Sequence, residues 1–332
     1  MQYKSAKGFT GFGQLGILFV FLGLGFILAG GTQLIIGMKM IPAGTAFKNI
    51  GNAMLDAMTK PENVGLARLA QVTGTFFLLF IPAILFSWVT NGCNKFWLGF
   101  NPYINAYQVL LGFLIIFAAN ILASPLEDIS KAIIAHFPSV DAAAKGLEKA
   151  YDDQVVILSN LKSWPEFLMA IVIMAFFPAL FEEVFFRGAM QGLLVRWWKK
   201  PLLAIFVTSL IFSLIHSSIY LFVSRAALGF VLGLMYQTSK NLWVNVIAHF
   251  LNNAIALTQL FYMSDSKHKI DPGKLDPKVE WWIGLIALTL LYFLFRQLNK
   301  ISRNNRVKID AREQLITAKE NTQDPFATIE NR

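Results

Sequence analysis

Long apolar runs separated by short polar stretches dominate the chain. Runs at about 15–36, 69–90, 104–124, 165–196, 202–223, 241–263 and 280–298 each approach the length a helix needs, and a shorter one lies at about 225–239. Crossing about 30 Å of hydrocarbon takes roughly 20 residues of helix. Lipid offers the backbone no hydrogen-bonding partner, so every run is expected to be helical. The pattern predicts an all-α, polytopic membrane helical bundle of about eight transmembrane helices. Segments 37–67 and 125–163 read differently. They mix Pro, Lys, Asp and Glu with apolar residues at helical spacing (Ile129, Ile133, Ile134, then Leu147 and Tyr151), as amphipathic helices resting at the interface do.

The first run resembles a signal peptide in its basic start, Lys4 and Lys7, and in its Ala29-Gly30-Gly31 stretch. Its apolar stretch exceeds the 7–15 residues of a signal core, so an uncleaved anchor is expected. From about Asn299 the chain turns polar, which predicts a cytoplasmic, partly disordered tail. Four regions follow: N-terminal helices and interfacial loops over 1–163, a polar-bearing helical segment over 164–263, a final loop and span over 264–298, and the tail over 299–332.

Composition sharpens this picture. Of 332 residues, 55% are hydrophobic and 15% charged, against about 25% charged in soluble domains. A formal net charge of +9 would suggest nucleic acid in a soluble protein. Here the basic residues fall between apolar runs and in the tail, so membrane lipids are the expected partner and nucleic acid is not. Arg196, Lys199 and Lys200 beside Trp197 and Trp198, and the group Arg296, Lys300, Arg303, Arg306 and Lys308, mark a cytoplasmic side. Eight spans would put both on the side of the N-terminus, giving an N-in, C-in protein of the plasma (inner) membrane. The single cysteine, Cys93, excludes a disulfide framework and a Cys-based zinc cluster.

Within the apolar spans the ionisable residues are few: Glu182, Glu183 and Arg187, then His216, then His249, joined by Asn252 and Asn253. An ionisable group at that depth costs at least about 2.5–3.5 kcal/mol and marks a functional site by default. Adjacent helical residues diverge by about 100°, so Glu182 and Glu183 are expected to face different ways. Glu183 precedes Arg187 by four positions, the favourable order for an ion pair. That pair reads as a brace, leaving Glu182 free to work. His249 and Asn253 share a face by the same spacing, and Phe212 packs beside His216. Pro178, one turn before Glu182, is expected to bend the helix by removing a hydrogen bond to the carbonyl of Met174. One carboxylate, two imidazoles and a carboxamide around a wet cavity could hold and activate water, which points to hydrolysis of an acyl bond.

Glu182-Glu183-Val184-Phe185-Phe186-Arg187 fits EExxxR, Phe212 to His216 fits FxxxH, and His249 to Asn253 fits HxxxN, in that order. The chain thereby resembles the CPBP family of intramembrane proteases, which includes CAAX prenyl endopeptidases and Abi-type, bacteriocin-related members. The resemblance covers about 165–263. It implies Glu182 as the base toward water, His216 as its partner, His249 and Asn253 lining the site and stabilising the oxyanion, and Glu183, Arg187 and Phe212 in support. It also implies a membrane-tethered or lipidated peptide as substrate. Cofactor use stays open: HExxH is absent, yet a divalent metal such as zinc could be held by His216, His249 and Glu182. Two other classes compete, a non-catalytic bacteriocin self-immunity or scaffold protein that retains the motif, and a proton-coupled transporter.

Overall fold

The computed structural model describes residues 3–323 apart from 59, 159–160, 162 and 266–278. It is an all-α polytopic membrane protein, with no sheet among the described residues. Helices α1 (Gly11–Met38), α2 (Ile50–Met58), α3 (Pro61–Asn91), α4 (Ala106–Ile134) and α5 (Pro138–Leu158) form the first half. Helices α6 (Trp164–Trp198), α7 (Pro201–Leu214), α8 (Phe222–Ser239), α9 (Leu242–Asp265) and α10 (Trp281–Gln323) form the second.

Local chemistry sets the ends. The Thr10 hydroxyl caps α1 by accepting from the backbone of Gly13. Asn105 and Gln108 form a reciprocal capping box at α4. Ser163 caps α6, with Pro165 in its first turn where the missing N–H costs nothing. Lys199 leaves α6 through the left-handed region (φ 57°), and Pro201 then starts α7.

Six helices, α1, α3, α4, α6, α9 and α10, are long and apolar enough among the described residues to cross a membrane. This corrects the expected eight. The apolar run at 202–223 does not continue as one helix: α7 stops at Leu214, and a turn follows in which Ser217 takes a positive φ of 51°. The serines at 217 and 218 and His216 turn the chain there, so α7 and α8 form a short hairpin inside the bundle rather than two full spans. The tail differs too. Where a polar, partly disordered segment was expected from Asn299, α10 runs on as helix to Gln323. Ser302 is buried there, its hydroxyl accepts from Gln108 on α4 at 2.9 Å, and Ile309 is buried too. The amphipathic segment at 125–163 is likewise split, because α4 continues through Pro125 to Ile134 before α5 begins.

Two cores flank α6 and α9. One joins Leu18 of α1, Phe86 of α3, Phe185, Phe186 and Leu193 of α6, and Val246 of α9. The other joins Ile115 and Ala119 of α4, Met235 of α8, Ala248 of α9, and Leu291 and Leu298 of α10. Hairpin α7–α8 closes tightly on two glycines one turn apart. A Cβ at Gly233 would lie 2.6 Å from Ile205, and one at Gly229 would lie 3.1 Å from Phe212. Small residues at this spacing let membrane helices approach through backbone contact. Outward apolar side chains, such as Phe26 and Ile27 of α1, are largely exposed, as suits a lipid-facing wall.

Candidate active site

The polar cluster sits where α6 meets α9, with α8 behind it. Helix α6 widens just here: residues Val184–Gln191 take π-helical geometry directly after Glu183. A second such segment, Ile171–Phe176, precedes Pro178, and a third, Phe76–Phe80, precedes Pro82 in α3. In both places a wide turn lies directly upstream of a ring that would otherwise crowd the carbonyl four residues back. Thus the bend expected at Pro178 is taken up as a change of helical pitch.

Glu183 is wholly buried and carries the densest bonding in the cluster. Its Oε1 accepts from Arg187 Nη1 at 3.0 Å, and its Oε2 accepts from Asn245 Nδ2 at 3.1 Å. The same Oε1 lies 3.0 Å from His249 Nδ1. Arg187 also donates to the carbonyl of Gly229 at 3.1 Å, and Asn245 to that of Leu232 at 2.8 Å. A buried carboxylate with this many donors is compensated for the water it gave up. The Nδ1 contact leaves His249 Nε2 facing Glu182, whose Oε2 is 3.9 Å away. That gap is too long for a direct hydrogen bond and suits one bridging molecule.

The expectation that the two glutamates would face separate centres therefore needs amending. One imidazole reaches both, through its two nitrogens. The Glu183–Arg187 brace stands as expected, but its third member is His249 itself. Asn245 escaped notice in the sequence, although it lies four residues before His249 on the same face. The signal was the spacing; its partner on α6 needed the fold.

Other expected residues lie further out. Asn253 is half-buried and makes no side-chain hydrogen bond among the described residues. Asn252 accepts from Asn120 of α4, away from the glutamates. His216 lies in the turn after α7, with its Nδ1 2.7 Å from the carbonyl of Phe212. The Phe212 ring stands between, 4.7 Å from the imidazole of His216 and 4.8 Å from the guanidinium of Arg187. No hydrogen bond or ion pair joins His216 to Glu182 or His249 among the described residues. Nor do any three His, Cys, Asp or Glu side chains there converge as a metal would require. The set His216, His249 and Glu182 does not fit a three-ligand zinc centre as arranged.

Residues 164–255 match the family model described as type II CAAX prenyl endopeptidase Rce1-like. Over 105 residues the chain is 32% identical to "Uncharacterized protein YpbD" of Bacillus subtilis (strain 168), covering 30% of this chain and 51% of that relative. Over 121 residues it is 23% identical to "Putative membrane peptidase YdiL" of the same organism, covering 36% and 47%. The chain spans about half the length of these curated relatives. No solved structure matches it. The Rce1-like segment contains the Glu183 network and both residues flanking His249 on its face, so the matched region and the buried cluster coincide.

Proposed function

We propose that this protein is an intramembrane endopeptidase that hydrolyses a peptide bond of a membrane-tethered or lipidated substrate with water activated by Glu182. The observation that carries the reading is the orientation of His249, whose Nδ1 is held by buried Glu183 while Nε2 faces Glu182 across 3.9 Å. With Nδ1–H donated to Glu183, the Nε2 lone pair accepts from a water that also donates to Glu182. Glu182 takes the proton as the water oxygen attacks the carbonyl carbon, then delivers it to the leaving amine. Asn253, with its amide unengaged, offers N–H to the oxyanion from the same face of α9, and His216 approaches the reacting carbonyl from the turn after α7. Arg187 and Asn245 act through Glu183 and position His249.

An apolar groove of about 640 Å³ supports a lipidated or membrane-tethered substrate. Ile133 and Ile134 of α4, Leu214 of α7 and Phe222 of α8 line it beside the turn that carries His216. The N-terminal arm, the Lys199 turn and the far half of α10 share one end of the bundle, where Lys7 bonds the backbone of Thr90 and Lys240 pairs with Asp310. This basic end supports an N-in, C-in orientation in the plasma membrane.

The test is purified full-length protein incubated with membrane-anchored and prenylated peptides, scored by mass spectrometry with and without chelator. Cleavage by the wild-type protein that disappears in Glu182→Ala and His249→Ala is the expected result. Equal cleavage by all three would overturn the assignment.

A further inference from the structure

A second polar cavity, of about 160 Å³, lies at the basic end of the bundle between the turn at Trp97 and Gly99, the last turns of α6 and α8, and the far half of α10. Gln191, which lines it, is eight residues beyond Glu183 on α6. Its lining carries both signs of charge: Arg196 and Lys240 against Glu313. Lys240 is engaged by Asp310 at 2.6 Å. Two other charged groups, Arg196 and Glu313, have no hydrogen bond or ion pair among the described residues.

Gln191 is 1% exposed and gives an amide N–H to the carbonyl of Gly233 at 2.9 Å, yet its Oε1 receives no donor. Arg196 makes no hydrogen bond among the described residues; its buried Nε is unpaired, and its guanidinium only rests 5.8 Å from the ring of Trp97. The carboxylate of Glu313 has neither hydrogen bond nor ion pair among the described residues. The Arg196 guanidinium and the Glu313 carboxylate, opposite charges lining one cavity without a hydrogen-bond or ion-pair partner among the described residues, call for an occupant that supplies the complement of each.

We propose that this cavity binds a phosphoethanolamine group. Phosphate oxygens accept from the Arg196 guanidinium and the Tyr236 hydroxyl, and the ammonium donates to the Glu313 carboxylate. A purely anionic headgroup would bring its charge against Glu313 with no cation to offset it. A choline has no N–H to give. Trp197 and Trp198 follow Arg196 at the end of α6 and mark the depth of lipid headgroups, so phosphatidylethanolamine and soluble phosphoethanolamine are the two sources of this chemistry.

The experiment uses delipidated full-length protein in detergent. Native mass spectrometry measures retention of phosphatidylethanolamine, phosphatidylglycerol and phosphatidylcholine offered at equal concentration, and thermal unfolding is followed with soluble phosphoethanolamine or inorganic phosphate. Phosphatidylethanolamine is expected to be retained about tenfold over the other two lipids. Arg196→Gln should lower that retention by about tenfold, and Glu313→Gln should abolish the preference over phosphatidylglycerol while binding persists. Stabilisation by soluble phosphoethanolamine without lipid retention assigns the free compound, and the converse assigns the lipid; either supports the group. Equal retention of all three lipids with no shift from phosphoethanolamine, or a shift from inorganic phosphate of the same size, overturns it. Should Arg196→Gln not fold, Glu313→Gln tests the amine half alone. Glu182→Ala should bind as the wild type does, so a failure here is distinct from a failure of the peptidase reading.

Discussion

His249 is held by one glutamate and aimed at the next, and this divides the consequences of two adjacent substitutions. Glu182 is partly exposed and makes no direct hydrogen bond among the described residues, so Glu182→Gln should leave the unfolding temperature nearly unchanged while peptide hydrolysis falls about 10²–10⁴-fold. Glu183→Gln strands a buried guanidinium, at a cost of about 3–5 kcal/mol, and should lower the unfolding temperature sharply in detergent. Asn245→Ala removes donors from Glu183 and from the carbonyl of Leu232, with an expected loss of about 1–3 kcal/mol. Much of this site was legible in the sequence, because i,i+4 spacing within one helix already pairs Glu183 with Arg187 and sets His249 beside Asn253. What spacing could not tell was which face of α9 meets α6. That contact makes Asn245 a partner of Glu183 and lets one ring serve both glutamates.

At the scale of helices, hydropathy located nearly every apolar run but overstated how far some reach. A run of apolar residues interrupted by His216, Ser217 and Ser218 reads as one span, although backbone turning at Ser217 ends the helix. Pitch was also invisible, since π-helical turns use the same residues as α-helical ones. The hairpin α7–α8 depends on close backbone approach, so Gly233→Leu should force Ile205 aside and destabilise the fold by about 1–3 kcal/mol, measured as a lower unfolding temperature. Helix α5, which is not among the candidate membrane spans, is tied to the turn after α7 by the Tyr220 hydroxyl, which donates to Asp141. Lys145 first, and then Tyr220, hold the Asp141 carboxyl below the usual carboxylate range. A depressed carboxylate contributes its stabilisation fully above its unfolded value of about 3.9 and loses it as pH falls below that. A spin-label pair on α5 and the 216–221 turn should therefore broaden its distance distribution on acidification below about pH 4. Tyr220→Phe should show the broader distribution at neutral pH.

For the molecule as a whole, orientation can be read from a single native residue. Cys93 is exposed in the connection between α3 and α4, at the same end as the N-terminal arm. With that end facing the cytoplasm, a membrane-impermeant maleimide should label Cys93 in inverted vesicles and spare it in intact cells. The last helix adds a mechanical consequence. Its 43 residues reach about 64 Å, roughly double the hydrocarbon thickness, so about half of a stiff rod projects beyond the bilayer. That outboard arm is pinned at Ser302 and again at Asp310. Torque applied to its free end would load the Asp310 fastening before the Ser302 one, so a tether or fused domain pulling there would peel the arm from its tip inward.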